Sequence, residues 1–199
     1  MRRNGADSPR QEALFHLQEY AKAYSKGVPQ IPIPIEQIAE AHLGLAIERG
    51  ELKEGISGQL HVAEKKIVVN SHEPLTRQRF TIAHEMGHFC LHVGSNIASQ
   101  CPKGYSPELE REANSFAAAL LLPPNLVLLE LADEVNAAAE IAISEGRVFE
   151  LSHHELDMFS TRLAKRFLVS KSAMDIFLSK RFNIRRPSQL SLELGIETA

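Results

Sequence analysis

The chain has no tryptophan, only two cysteines, no long apolar run and no strong excess of either charge. Each lack excludes something. Cys90 and Cys101 are too few for a disulfide-stapled secreted fold, so a reducing compartment is expected. The longest apolar run, "FAAALLLPP", falls far short of the roughly 20 residues that a membrane-spanning helix needs. The basic start "MRRNGADSPRQEA" leads into no apolar segment of the kind a secretory signal carries. A net charge of -3 argues against a protein that coats nucleic acid. Together these absences predict a cytoplasmic protein with no membrane association. What is present suffices for an ordinary globular core: 44% of the 199 residues are hydrophobic and 24% are charged.

Periodicity and chain-breaking residues divide the sequence. Apolar spacing predicts a helix over "RQEALFHLQEYAKAYSKG", ending at Gly27. Three prolines exclude a helix from "VPQIPIP". A short helix in "IEQIAEAHLG" stops at Gly44. Three stretches rich in β-branched residues follow, "LAIERG", "ISGQLHVA" and "KIVVN". They predict a small antiparallel sheet, with Glu64 and Lys65 in a hairpin connection. From Pro74 the pattern is helical to about His92, followed by a loop with Gly94, Pro102 and Gly104. Ser106 and Pro107 then make a cap and first turn, and Pro123-Pro124 ends that helix. "NLVLLELADEVNAAAEIAISEG" and segments at about 152–167 and 171–182 read as three more helices. The expected organisation is a helical extension over 1–30, a core over 31–125, a helical C-terminal subdomain over 126–186 and a tail over 187–199.

The chemistry concentrates in "RFTIAHEMGHFCLH", from Arg79 to His92. Four residues advance a helix by one turn and about 40°, so His84 and His88 leave the same face. Two such imidazoles reach one ion at about 2.0–2.1 Å. Glu85, some 100° further round, is placed to lean over a water beside that ion. This is the logic of H-E-x-x-H: two ligands and a general base on one rigid turn. The bare motif also arises by chance in helices with two half-buried histidines, so the surroundings matter. Gly87, inside the motif, costs about 1 kcal/mol against alanine in a helix, which a close backbone approach would offset.

A catalytic site of this kind needs a third protein ligand. His92 lies eight residues from His84, about 12 Å along the helix, too far to share its ion. Leu91 also stands where H-E-x-x-H-x-x-G-x-x-H has its turning glycine. His92 is therefore read as a group supporting the ligands or packing in the core. The better candidate lies in "SPELEREANSFAAALLLPP". Leu109, Ala113, Phe116, Ala117, Leu120 and Leu121 define one buried stripe. Glu110 falls about 60° from its centre, and Glu112 about 100° away on the other flank. A carboxylate turned toward a core needs a partner. That partner is either a metal, with Glu110 as third ligand and Glu112 in reserve, or an arginine such as Arg77 or Arg79. Asn114, one turn beyond Glu110, is placed to hydrogen-bond a ligating histidine. The reaction expected of such a set is hydrolysis of a carbonyl substrate. The metal acidifies water toward a pKa of roughly 7, and Glu85 takes the proton. Tyr105 and His92 are candidates for a second oxyanion donor.

These motifs carry a resemblance. "GISGQLHV", "KIVVN", "TRQRFTIAHEMGHFCLH", "EREANSFAAALLLPP" and "LAKRFLVSKSAM" occur in the order found in the ImmA/IrrE family of zinc metallopeptidases, over about residues 31–182. The resemblance implies an α+β fold: a mainly helical minimal zincin with a small antiparallel three-stranded sheet on the active-site helix. It implies zinc held by His84, His88 and Glu110, with manganese or iron left open by the ligand types. It implies Glu85 as the catalytic base. It also implies a protein substrate, a helix-turn-helix (XRE-type) repressor cleaved at a specific site to relieve repression in a mobile-element or stress regulon. Leu122 departs from the family's usual methionine in "LLMP", and "DIFLSKRF" departs from its usual last helix.

Two other readings compete. Between Arg162 and Arg186 there are eight basic residues and one acid, Asp175, in a two-helix rhythm, so direct DNA contact is a minor alternative. The other is a non-catalytic regulator whose metal stabilises a platform that binds a repressor or DNA. His16, His42, His61, His72, His153 and His154 receive no role. Cys90 is read as a small core residue and Cys101 as a loop thiol.

Overall fold

The computed structural model describes residues 8–93, 106–144 and 153–182. Helix α1 (Pro9–Tyr24) starts at Ser8, whose N–H donates to the Gln11 side chain at 2.9 Å. It ends where Lys26 and Gly27 take positive φ and the Gly27 N–H donates to the Ala21 carbonyl at 2.8 Å. The Pro-rich segment leads into the short α2 (Ile35–Gln37), which runs on as a π-helical turn, Ile38–His42. Strands β1 (Ala46–Gly50), β2 (Gly58–His61) and β3 (Lys66–Asn70) follow. The rest is helical: α3 (Leu75–His92), α4 (Pro107–Leu121), α5 (Pro124–Ser144), α6 (His153–Phe167) and α7 (Lys171–Phe182). Ser106 caps α4 by accepting the Leu109 N–H at 3.4 Å.

The fold is mainly helical α+β, but the sheet is mixed rather than antiparallel. Its order is β1-β3-β2; β3 pairs antiparallel with β2 and parallel with β1. The β2–β3 hairpin turns through Glu64 and Lys65, where Lys65 has φ 49°. The chain leaving β1 does not fold back beside it. It crosses to the far side of the position β3 will fill, and the stretch between β1 and β3 is long enough for a parallel crossover. β3 takes the centre because its Ile67 and Val69 are both fully buried, whereas β1 and β2 are only partly covered.

α3 lies between the sheet and α4. β2 and β3 pack on one side of it and α4 on the other, and α1 packs along α4 in turn. Ile67, Val69, Ile82, Met86, Phe116 and Leu120 fill the space between these layers. Gly87 permits the closest approach. A Cβ there would stand 3.1 Å from Ala113 Cα and 3.2 Å from Phe116 Cβ. Arg79 fastens α3 to distant parts of the chain. Its guanidinium, in a residue only 5% exposed, donates to the Ile33 carbonyl at 2.7 Å and to the Leu168 carbonyl, between α6 and α7, at 3.2 Å. Glu36 stands 3.8 Å away.

Several basic groups of the C-terminal helices are held by partners within the fold. Lys171 binds Asp157 and Asp175, Arg166 binds Glu130, and Arg162 lies over the Phe159 ring. Arg185 and Arg186 lie outside the described residues. Among the described residues no single helix is long and apolar enough to cross a membrane.

Candidate metal centre

Two helices build the centre. α3 projects His84 and His88 from one face, and α4 projects Glu110 from its first turn. The two Nε2 atoms are 3.0 Å apart. Glu110 Oε2 is 3.3 Å from His84 Nε2, and its Oε1 is 3.5 Å from His88 Nε2. Among the described residues, this is the one group of three metal-ligating side chains whose donor atoms all lie within 4.8 Å of one another.

The outer face of each ring is also occupied. His84 Nδ1 lies 3.1 Å from Asn114 Oδ1, so it carries the proton and donates. His88 Nδ1 lies 3.0 Å from His92 Nδ1. With the protons directed outward, two nitrogen lone pairs and a carboxylate face one point, an arrangement that calls for a cation. The spacing suits one. Donors about 2.0 Å from a tetrahedral zinc are about 3.3 Å from one another. The described residues therefore fit a divalent ion of that size.

Electrostatics set His88, His84 and Glu85 apart. Burial pushes His88 down to about 3, helped by the neighbouring His84 and His92 rings, so its ring stays neutral with one nitrogen lone pair available. Burial lowers His84 as well, opposed by Glu110. Glu85 is pushed the other way, up to about 7, by burial first and then by the Glu110 carboxylate. Phe80 lies beside His84, with ring centroids 6.3 Å apart and the planes tilted by 32°.

An edge strand borders the site. Among the described residues β2 pairs only with β3, and it begins at Gly58 beside Glu85. A Cβ on Gly58 would collide with Thr81 Cγ2 and stand 3.7 Å from Glu85 Oε1. Glycine here lets the strand press against α3 at the motif.

The structure thus brings together His84, His88 and Glu110, with Glu85 on the adjoining face and Asn114 behind His84. The arginines considered for Glu110 go elsewhere: Arg79 to Glu36 and two carbonyls, Arg77 to Glu73 and Ser57. Glu112 does not serve as a reserve ligand, because its phase on α4 directs it to His92 Nε2, at 3.0 Å. Sequence reasoning misses this contact, because nothing local pairs Glu112 with His92; the one signal is that each lies close to an expected ligand. Tyr105 and Cys101 lie outside the described residues. Cys90 sits half-buried on α3 with its thiol pushed up to about 12 by burial.

Comparison with known proteins gives the chain's family. The solved structure of a Mycobacterium tuberculosis transcriptional regulator superposes with a TM-score of 0.53 at 18% identity, covering 89% of this chain and 48% of that one. That likeness is one of fold. Metallopeptidase ImmA of Bacillus subtilis (strain 168) is 34% identical over 67 residues, which are 33% of this chain and 40% of ImmA. Both matches cover less than half of the relative's own length. The IrrE N-terminal-like domain, Peptidase_M78, matches residues 31–179, from the Pro-rich segment into α7. With most of its length inside that match, the chain belongs to the ImmA/IrrE family.

Proposed function

We propose that the protein is a zinc-dependent endopeptidase that cleaves a helix-turn-helix (XRE-type) transcriptional repressor at a specific site in the cytoplasm, relieving repression in a mobile-element or stress regulon. The observation that carries this reading is the convergence of His84, His88 and Glu110 beside a half-buried Glu85. The metallopeptidase title of the Bacillus relative agrees with it. The repressor as substrate rests on the family resemblance.

In this reading His84, His88 and Glu110 would hold the ion. A divalent cation bound there supplies Lewis acidity to polarise the scissile carbonyl and to acidify water. Glu85 takes the proton from the attacking water and returns it to the leaving amine, a task suited to a carboxyl group poised near neutrality. Asn114 keeps the His84 ring turned with its lone pair inward. The open edge of β2 offers backbone groups to an extended substrate segment, which adds as a further strand and brings its carbonyl past Glu85.

The test is incubation with the repressor encoded beside this gene, with and without chelator, followed by mass spectrometry of the fragments. One discrete, chelator-sensitive cut that Glu85→Gln abolishes supports the proposal. If Glu85→Gln retains both zinc and full biological effect, hydrolysis is not the function, and the metal serves a non-catalytic regulator instead.

A further inference from the structure

We propose that His92 and Glu112 act as a relay that fixes which nitrogen of His88 bears the proton, and so presents its Nε2 to the metal as a lone pair. The inference rests on the reading of His84, His88 and Glu110 as a metal cage. His92 and Glu112 are positioning residues in it and touch neither ion nor substrate.

Three residues lie in series, joined by two contacts. His88 Nδ1 is 3.0 Å from His92 Nδ1, and His92 Nε2 is 3.0 Å from Glu112 Oε2. The two ends determine the order of protons. At one end His88 Nε2 needs a free lone pair for a cation, so the ring's proton sits on Nδ1. That N–H requires an acceptor, and the His92 Nδ1 lone pair supplies it. His92 then carries its own proton on Nε2 and donates to a carboxylate, which when ionised only accepts. Of the neutral tautomers, one combination satisfies both contacts and leaves the His88 Nε2 lone pair free.

Burial makes the arrangement demanding. His88 is 1% exposed and His92 3%, so little water reaches either ring to replace a lost partner. The Glu112 side chain is 49% exposed and anchors the chain of hydrogen bonds from the surface. Helical geometry explains the series. His92 follows His88 by one turn on α3, and Glu112 flanks the opposite side of the α4 stripe from Glu110. One helix therefore serves the centre twice, Glu110 approaching from the metal side and Glu112 from behind through His92. His84 has a simpler support, the Asn114 amide, so the two ligating rings are held by different means.

The experiment measures zinc affinity by competition with a chelating dye, thermal unfolding of the metal-free chain, and the His88 tautomer by 15N NMR of its ring in the metal-free chain. Wild type is expected to show His88 protonated on Nδ1. His92→Phe removes the acceptor and is expected to weaken zinc binding by about 10–100-fold. His92→Gln offers a carbonyl in its place and is expected to recover most of that loss and the Nδ1–H tautomer. Glu112→Ala is expected to lower affinity in the same direction with less risk to the fold, since its side chain is half exposed. A folded His92→Phe chain with zinc affinity within about twofold of wild type overturns the relay. If His92→Phe fails to fold, unchanged affinity in Glu112→Ala overturns it instead. A wild-type chain that binds no zinc overturns the cage reading itself, whereas tight zinc binding shared equally by all variants overturns the relay alone.

Discussion

Among the described residues, two clusters that share no member, His84, His88 and Glu110 in one and His16, His42 and Glu12 in the other, each hold two histidines and a glutamate, and they are built for different purposes. In both, a pair of ring nitrogens lies 3.0 Å apart and a carboxylate oxygen stands 3.3 Å from one ring. Between α3 and α4 the two Nε2 atoms and Glu110 face a common point, and Asn114 and His92 occupy the outer nitrogens. Between α1 and the π-helical turn, His16 meets His42 through Nδ1, while Glu12 sits on His16's other nitrogen. Those three groups form a row with His16 in the middle, and a ring cannot direct two nitrogens at one ion. The first cluster is a cage and the second a latch between neighbouring segments. Residue types do not separate them; the direction of the lone pairs does.

The largest expected effect concerns what the latch lacks, a poised base. Glu85→Gln should reduce cleavage of the repressor by about 10²–10⁴-fold while zinc content stays at wild-type level, measured by fragment yield and metal analysis on one preparation. Next comes stoichiometry. Zinc titration should find one tight site per chain, lost in Glu110→Ala and His88→Ala and retained in His16→Ala and His42→Ala. A second tight equivalent that disappears with His42→Ala would break the distinction between the clusters.

A smaller effect should follow from Gly87→Ala. The added methyl group presses on Ala113 and Phe116, so α4 must shift and carry Glu110 with it. Overpacking of this kind costs about 1–3 kcal/mol, read by chemical denaturation, with weaker zinc binding alongside.

The latch should show itself through acid. Burial lowers His16 below its ordinary value, opposed by Glu12 and reinforced by His42, so the fold favours its neutral ring. That contribution is complete above the ordinary imidazole value of about 6.5 and is lost as pH falls through the lower, folded-state value. In chelator, unfolding temperature should therefore drop with acid less steeply in His16→Gln than in wild type. The smallest effect is a silence. Cys90 has its thiol held up at about 12, chiefly by burial and then by Glu12, so it should resist alkylation near pH 8 until the chain unfolds. The stability linked to that shift is present below the ordinary thiol range and is lost as pH rises toward 12.

Helical phase made much of the centre legible before any coordinates. The four-residue spacing set His84 and His88 on one face, and angular placement on α4 put Glu110 and Asn114 on one flank, where both now face His84. Gly87 suggested a close approach, and α4 provides it. The sheet was less legible. Strand patterns record which residues are covered, not which strand lies between the others, so parallel pairing of β1 with β3 left no mark in "LAIERG" or "KIVVN". The two longer-range contacts, His92 with Glu112 and His16 with His42, were also hidden. Each joins residues 20 or more positions apart, and no local period connects them.

Arg79 sits five residues before His84, and both of its carbonyl partners lie far away in the chain, one ahead of the sheet and one beyond α6. Shortening the protein before Leu168 would remove one of the two carbonyls that accept from this buried guanidinium, leaving Ile33 and Glu36 as its partners, at a cost of about 1–3 kcal/mol. The turn between the last two helices is thus tied to the histidine helix, and a trimmed version missing them would hold that helix less firmly before any question of partner recognition arose.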